Sequence, residues 1–394
     1  MVVLVTGSRL FFALEMIRKL GRGGHRVYAA DTFRSAPGSR SRHVAASFVV
    51  PSPRYDTRGF VDAVEAVASA RHVDVIVPAF EEVFYLAKHR ARIERYAGVF
   101  AAPFDTLHRL HDKLRFLELA RELRLSVPRT LVARDRRELM DASREIGRFF
   151  ARPAFTRGGV TLYTNAGPLA GLVSLEDCDP TPQNPFLVQP FIEGTDVCTY
   201  SIAARGHIAA HSSYVHPLTI EHAGGIFFES VDEPEALAIA RRIVEATRYD
   251  GQIALDLIRT DHGYAVVECN PRASAGAVVM PDAMFDAAMR EVVRGRHAGR
   301  TQVAPAGIRR KLSFALLRNA VLRRGQASES LSALLDAAVP DVYANPDDLA
   351  PLVYQLVAYG RVMRYRLRRR RIHRTDVMQG YLYDLLWNGE EMAA

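Results

Sequence analysis

A chain of 394 residues, 48% hydrophobic and 24% charged, has room for two or three domains and excludes a disordered or fibrous protein. No apolar run approaches the ~18 residues that span a bilayer, and the start "MVVLVTGS" has neither a charged leader nor a cleavage site, so no signal peptide is expected. The net charge is +8, yet only four of the 52 basic Lys and Arg residues are lysines (Lys19, Lys88, Lys113 and Lys311).

A lysine at a chemically pointed position is therefore rarely filler. Part of the excess charge sits in "RVMRYRLRRRRIHR", residues 361–374. Cys178, Cys198 and Cys269 form no CxxC pair. This argues against a disulfide framework or a zinc site and for a reducing cytoplasm.

In chain order, residues 2–5 predict a buried strand, "LFFALEMIRKL" a helix closed by glycines, and "RVYAAD" a second strand ending in Asp31. "DTRGFVDAVEAVASA" predicts a helix and "VDVIVPAF" the strand after it. Such alternation gives a parallel sheet, an α/β domain over about residues 1–105. The first turn, "TGSRLFFA", has Leu10 and Ala13 where a dinucleotide site wants further glycines. A structural or substrate-binding half is the better reading.

"LHRLHDKLRFLELARELRLSVPRT" reads as one helix closed by "SVP". Short strands and helices follow from 130 to 190, as in "RELMDASREIG", "RFFARPAF", "PLAGLVSL" and "FLVQPF". Strands dominate from 191 to 270, apart from a helix at "EPEALAIARRIVEATR". After about 300 the pattern is helical and basic.

"GQIALDLIRTDHGYAVVECNPR" predicts a hairpin. A three-residue turn, "DHG", would pair Thr260 with Tyr264. Counting back sets Asp256 opposite Glu268 on one face, with Asn270 on the same face and Arg272 just beyond. Flanks such as "IALDLI" and "YAVVEC" are apolar, so the two carboxylates are poorly solvated and repel each other. A hard divalent cation shared with phosphate oxygens resolves this. The competing reading is a solvated hairpin with scattered charges.

"VVECNPR" resembles the ExNxR signature of ATP-grasp enzymes, in the branch of biotin carboxylase and carbamoyl-phosphate synthetase. "LHDKLRFLELARELRLSVPRT", "FFARPAFTRGGVTLY" and "FLVQPFIEGTDVCTYSI" resemble, in the right order, the entry segment, the glycine-rich flap and the adenine hinge. The resemblance covers about residues 1–300. It implies an ATP-grasp domain over 106–300 (flap 128–188) behind a Rossmann-like domain, with a helical basic extension at 301–394.

By that resemblance Lys113 and Arg152 contact the ATP phosphates, and Gly158 and Gly159 let flap N–H groups approach them. Gln189, Pro190, Phe191 and Ile192 line the adenine slot, and Asp196 takes the ribose. Asp256, Glu268 and Asn270 hold Mg2+, with Mn2+ an acceptable substitute. Arg272 steadies the acylphosphate or its carboxylate precursor. The lesser reading has Asp196 only capping a turn, Gln189 could be an ordinary strand residue, and Cys269 reads as core. Arg152 stands where the family has lysine, which is either a conservative exchange or the mark of a weakened ATPase.

The implied activity is an ATP-dependent carboxylate–amine ligase that passes through an acylphosphate and releases ADP and phosphate. The alternatives are a bicarbonate-phosphorylating enzyme and a non-catalytic nucleotide-binding protein. The expected partners are small-molecule carboxylate and amine substrates, with a homodimer admitted. Glu81 and Glu82 could meet an ammonium group or cap a helix. His216, Glu221 and His222 lie in an expected loop near the site. "LVYQLVAYGRVMRYRLRRRR" is amphipathic. A helical lid, an oligomer contact or a docking face for a carrier protein is favoured there over nucleic acid or membrane.

Overall fold

The computed structural model describes residues 1–155, 161–220, 224–295, 299–369, 377–389 and 392. Hydrophobic strands Val2–Val5, Arg26–Asp31 and Val75–Val77 pair in parallel, as their apolar sequences require. Val44–Val49 and Gly98–Val99 add the two edges, giving the order 44–49, 26–31, 2–5, 75–77, 98–99. The sequence reading missed Val44–Val49. Its residues alternate between half-buried and exposed, and "VAASFV" is too rich in small side chains to stand out.

The order reverses beside Val2–Val5, so the crevice at the carboxyl ends of the strands opens there. Gly7 starts this crevice with φ +64°, and a Cβ on it would sit 2.9 Å from Glu82 Oε1. Only glycine meets both demands.

Helix Phe11–Arg22 lies between this sheet and helices Gly276–Val279 and Asp282–Val293. Even its charged residues Glu15, Arg18 and Lys19 are buried. Each is matched, as burial demands. Lys19 Nζ donates to the Met280 carbonyl (2.8 Å) and to Asp282 (2.9 Å). Arg18 donates to Glu15 (2.9 Å), Asp348 (2.8 Å) and the Val342 carbonyl. The helix thus binds the C-terminal part of the chain to the N-terminal sheet.

The single helix expected over "LHRLHDKLRFLELARE" is two, Phe104–His111 and Lys113–Glu122. Asp112 divides them. Its carboxylate accepts the N–H groups of Leu114 (2.9 Å) and Arg115 (3.2 Å), which starts a new helix. Lys113 is consequently a first-turn residue rather than a mid-helix one.

Beyond it, Leu131–Ala133, Phe186–Pro190, Phe149–Pro153 and Tyr163–Thr164 form a small antiparallel sheet. "PLAGLVSL" is mostly turns, not a strand or helix of its own. The large sheet is built on Gly263–Asn270, Gly251–Thr260, Thr195–Ala204, His207–Ile220 and Gly224–Val231, and it continues past 300 to Arg309–Lys311. The loop expected around His216 is instead a hairpin of the last two long strands, bulged between Val215 and Leu218. Glu221 and His222 lie outside the described residues.

Helices Ser313–Leu322, Ala327–Leu335, Ala350–Arg369 and Val377–Leu382 complete the chain. No helix among the described residues is long and apolar enough to cross a membrane.

Asp348→Ala leaves Arg18 buried without its main counter-charge. We expect a loss of about 3–5 kcal/mol of stability, read by urea denaturation. A loss below about 1 kcal/mol, the size of an exposed pair, would show that the two ends of the chain are not energetically joined there.

Candidate active site

The hairpin that carries the carboxylates closes more tightly than its sequence suggested. Thr260 pairs with Gly263, not Tyr264, leaving a two-residue turn. Left uncorrected, this would displace Glu268 from Asp256. A bulge restores the pairing. Leu257 faces Val266, the register then shifts, and Asp256 faces Glu268. Val267 is the extra residue, and a bulge leaves such a residue without its ladder bonds. Its carbonyl accepts Arg152 Nη2 at 3.0 Å. The same guanidinium donates through Nη1 to Glu268 Oε2 at 2.6 Å. One side chain thus satisfies the bulge and neutralises the carboxylate that the bulge positions.

Lys113 Nζ reaches Glu268 Oε2 at 3.5 Å from the first turn of its helix. Both cations are nearly buried, and the Glu268 side chain is 19% exposed. Burial alone would raise the Glu268 pKa. Lys113 and Arg152 outweigh it and hold the group below the carboxylate range. Among the described residues no cation bonds Asp256 directly, and Arg272 offsets its burial only in part. Burial, and then the negative charge of Glu268, push it up to about 7. Asn270 Nδ2 donates to Asp256 Oδ2 (3.0 Å) and lies 3.3 Å from Glu268 Oε1. Its oxygen accepts Arg272 Nη2 at 3.0 Å. The amide therefore turns its nitrogen to the carboxylates, and a cation ligand here would require its flip.

Among the described residues, no three His, Cys, Asp or Glu side chains form a metal cage. Two carboxylates and one amide oxygen are nonetheless a fitting partial set for Mg2+, which keeps open positions for phosphate oxygens. The upward push on Asp256 is the mark of a charge deficit that a divalent cation would relieve. All three cysteines are buried and free. Cys269 lies in the apolar core, as expected.

The hinge residues share one region but play different parts. Gln189 is buried and donates to Thr130 Oγ1 at 2.9 Å. Pro190 ends the strand Phe186–Pro190, and Phe191 and Ile192 follow it half-buried. The Phe191 ring lies under Arg148 at 5.1 Å. Asp196 is exposed and faces Ile258 across the sheet. Gly158 and Gly159 lie outside the described residues.

Arg272 stands between the carboxylates and the N-terminal crevice. Its guanidinium lies 4.2 Å over the Phe80 ring, and its Nε is 3.9 Å from Glu81 Oε1. Glu81 is fully buried and its Oε2 accepts the Trp387 N–H at 2.9 Å. Glu82, also fully buried, holds the turn that precedes its helix. Its Oε1 accepts Thr6 Oγ1 (2.7 Å) and the N–H groups of Ala79 and Phe80. Burial raises its pKa. The helix-cap reading of this acidic pair fails, since helix Glu82–Lys88 has no side-chain cap bond; Glu82 ties the preceding turn to Thr6, and Glu81 is an anchor for Arg272 and the tail.

That tail was not anticipated. Residues 381–389 run across the crevice. Arg9 binds Asp31 (2.5 Å) and Asp384 (2.6 Å), and Thr32 Oγ1 donates to Asp384 at 2.5 Å. Trp387 is 3% exposed, packed among Phe84, Phe104, His111 and Phe155. An arginine inside a glycine turn and the chain's single tryptophan, seven residues before the last, were the available signals.

No family model matches the chain. Solved structures do. An N5-carboxyaminoimidazole ribonucleotide synthetase in complex with ADP superposes with a TM-score of 0.57 at 13% identity, covering 78% of each chain. The biotin carboxylase domain dimer of a 2-oxoglutarate carboxylase from Hydrogenobacter thermophilus, with MgADP and bicarbonate, gives 0.59 at 12%, over 76% of this chain and 71% of that one. Phosphoribosylamine–glycine ligase from Thermotoga maritima gives 0.59 at 13%, over 78% of each. At these identities the likeness speaks for the fold, which is the ATP-grasp fold with its N-terminal parallel-sheet domain.

Trp387 reports on the seat of the tail. Burial would raise the Asp384 pKa, but Arg9 outweighs it and depresses the group below its ordinary 3.8. A depressed carboxylate contributes its stability above the unfolded value and loses it as pH falls through the folded one. Trp387 emission should therefore stay blue-shifted down to about pH 4 and move red below it, ahead of far-UV circular dichroism. Asp384→Asn should be red-shifted and open to acrylamide quenching already at neutral pH. Emission and dichroism changing together in both proteins would mean that the pair does not seat the tail.

Proposed function

We propose that this chain is an ATP-dependent ligase that joins a small carboxylate to an amine and releases ADP and phosphate. The observation that carries the reading is the convergence on Glu268. Two cations from separate elements, Lys113 and Arg152, meet one carboxylate of a like-charged pair inside an ATP-grasp fold. Such cations and carboxylates together suit a nucleotide polyphosphate and its divalent metal.

In this reading Asp256, Glu268 and the flipped Asn270 hold Mg2+, with Mn2+ as a substitute. Lys113, Arg152 and the flap around Gly158 and Gly159 bind the phosphates. Gln189, Pro190, Phe191 and Ile192 form the adenine slot, and Asp196 takes the ribose. Mg-ATP, when bound, supplies the phosphoryl group and part of the charge neutralisation. A substrate carboxylate oxygen bonds to the γ-phosphorus as the bond to ADP breaks, giving an acylphosphate. Arg272, held on Phe80 and Asn270, orients that group. The amine nitrogen then bonds to the acyl carbon, phosphate leaves, and the amine gives up a proton. The Trp387 tail closes the acceptor side against water, which would hydrolyse the acylphosphate.

Arg152 at a position where lysine was expected is compatible with turnover. It keeps the charge on Glu268 and adds a second bond, to the Val267 carbonyl. The bicarbonate-phosphorylating alternative draws on the similar structure that carries bicarbonate, and bicarbonate belongs among the acceptors tested.

The test is ADP and phosphate release from Mg-ATP against pools of carboxylates and amines, with and without bicarbonate. We expect release that depends on both pools. Glu268→Gln should lower it by about 10²–10³-fold. Arg152→Lys should stay within about tenfold and Arg152→Met should fall by about 10²-fold or more. Release that needs bicarbonate alone would favour the alternative. AMP and pyrophosphate as products would sink the acylphosphate route.

A further inference from the structure

Among the described residues, ten of the fifteen large hydrophobic side chains left exposed lie between Leu317 and Leu367. A concentration of this kind marks a binding surface, whereas scattered exposed leucines do not. Five of them, Leu349, Val353, Leu356, Val357 and Leu367, belong to helix Ala350–Arg369 and the residue before it, and are 48–67% exposed. At 3.6 residues per turn these positions, with Gly360 and Arg364, fall within a sector of about 100°.

The opposite face is already used. Pro351, Ala358 and Val362 are buried, with Ala358 against Phe33 and Ala36. The helix is therefore fixed to the protein by one apolar face and presents a second one outward. Helix Ser313–Leu322, joined to it through Phe314 and Tyr359 (ring centroids 5.1 Å apart), adds the exposed Leu317 and Val321.

Charge decides what covers this face. From 349 to 369 the sequence has five arginines (Arg361, Arg364, Arg366, Arg368 and Arg369) and no Asp or Glu. A second copy pairing through the same helix brings no carboxylate to them. A nucleic acid offers phosphates but leaves the leucine and valine strip exposed to water. A bilayer with anionic lipids offers apolar depth and negative headgroups side by side, which together are what an interfacial helix needs. We propose that the outer face of helix Ala350–Arg369 docks the protein onto an anionic lipid surface, lying in the interface with the strip inserted and Arg364 on the headgroups, while Arg361 stays stacked on Phe33.

The full-length protein is sedimented with vesicles of phosphatidylcholine alone or of equal parts phosphatidylcholine and phosphatidylglycerol. It should pellet with the anionic vesicles only, and less as salt is raised. Leu356→Asp and, separately, Arg364→Glu should each weaken binding by about tenfold with unchanged thermal unfolding, since both positions face solvent. Failure to pellet, or equal pelleting with neutral vesicles, overturns the proposal. So does a concentration-dependent dimer, seen in sedimentation velocity, that Leu356→Asp abolishes. Binding to a DNA duplex that Arg364→Glu weakens and Leu356→Asp does not, without vesicle binding, overturns it as well.

Discussion

Two carboxylates cannot face each other inside a protein and both stay ionised without counter-charge. Asp256 and Glu268 are held in that position, and much of the site follows from it. Glu268 keeps its charge because Lys113 and Arg152 reach it. Asp256, without a cation of its own, is pushed toward the neutral form. The pair is thus asymmetric, one half balanced by protein cations and the other dependent on a proton or a metal. Three separate elements must meet to create this asymmetry: the hairpin, the start of helix Lys113–Glu122, and strand Phe149–Pro153. A small rotation of the small sheet relative to the large one would lengthen the Arg152–Glu268 contact.

The second constraint is continuity between the two ends of the chain. Arg9, Arg18 and Glu81 are buried in the N-terminal domain and each binds a group beyond residue 340: Asp384, Asp348 and the Trp387 N–H respectively. Breaking such contacts strands a charge in the interior, which is far more destabilising than losing an apolar contact of the same size. The C-terminal arm is for this reason part of the crevice wall. Arg272 touches both sides of this arrangement, through Asn270 to the facing carboxylates and through Glu81 to the tail. A change in the seat of Trp387 has a path to the carboxylates through three residues, Glu81, Arg272 and Asn270.

Much of the fold was legible because its signals were local. Alternation of apolar strands and amphipathic helices gave the parallel sheet, and four ordered segments gave the ATP-grasp body. Asp256 opposite Glu268 was also readable, although by a wrong route: a three-residue turn was assumed, whereas a two-residue turn and a bulge give the same pairing. The errors cancel because each moves the register by one residue. Asp112 was read as a helix residue although Asp is a strong cap, so Lys113 was placed mid-helix. Arg9, Asp384 and Trp387 were missed for a different reason. They are some 375 residues apart in sequence, and no periodicity or spacing links a turn after the first strand to the last residues of the chain.

Helix Ala350–Arg369 shows the same limit from the other side. Its sequence is amphipathic, and the sequence alone does not say which face is buried. The fold buries Pro351, Ala358 and Val362 and leaves Val353, Leu356 and Val357 outside. Which face is buried depends on the loop Phe33–Arg40 beneath it, where Arg361 stacks on Phe33 and Arg40 on Tyr354. Those arginine–aromatic contacts fix the rotation of the helix about its own axis. A helix free to turn would bury its leucines and expose its small residues. Held as it is, it cannot, and its outward strip is a property of the assembled fold that its own sequence does not determine.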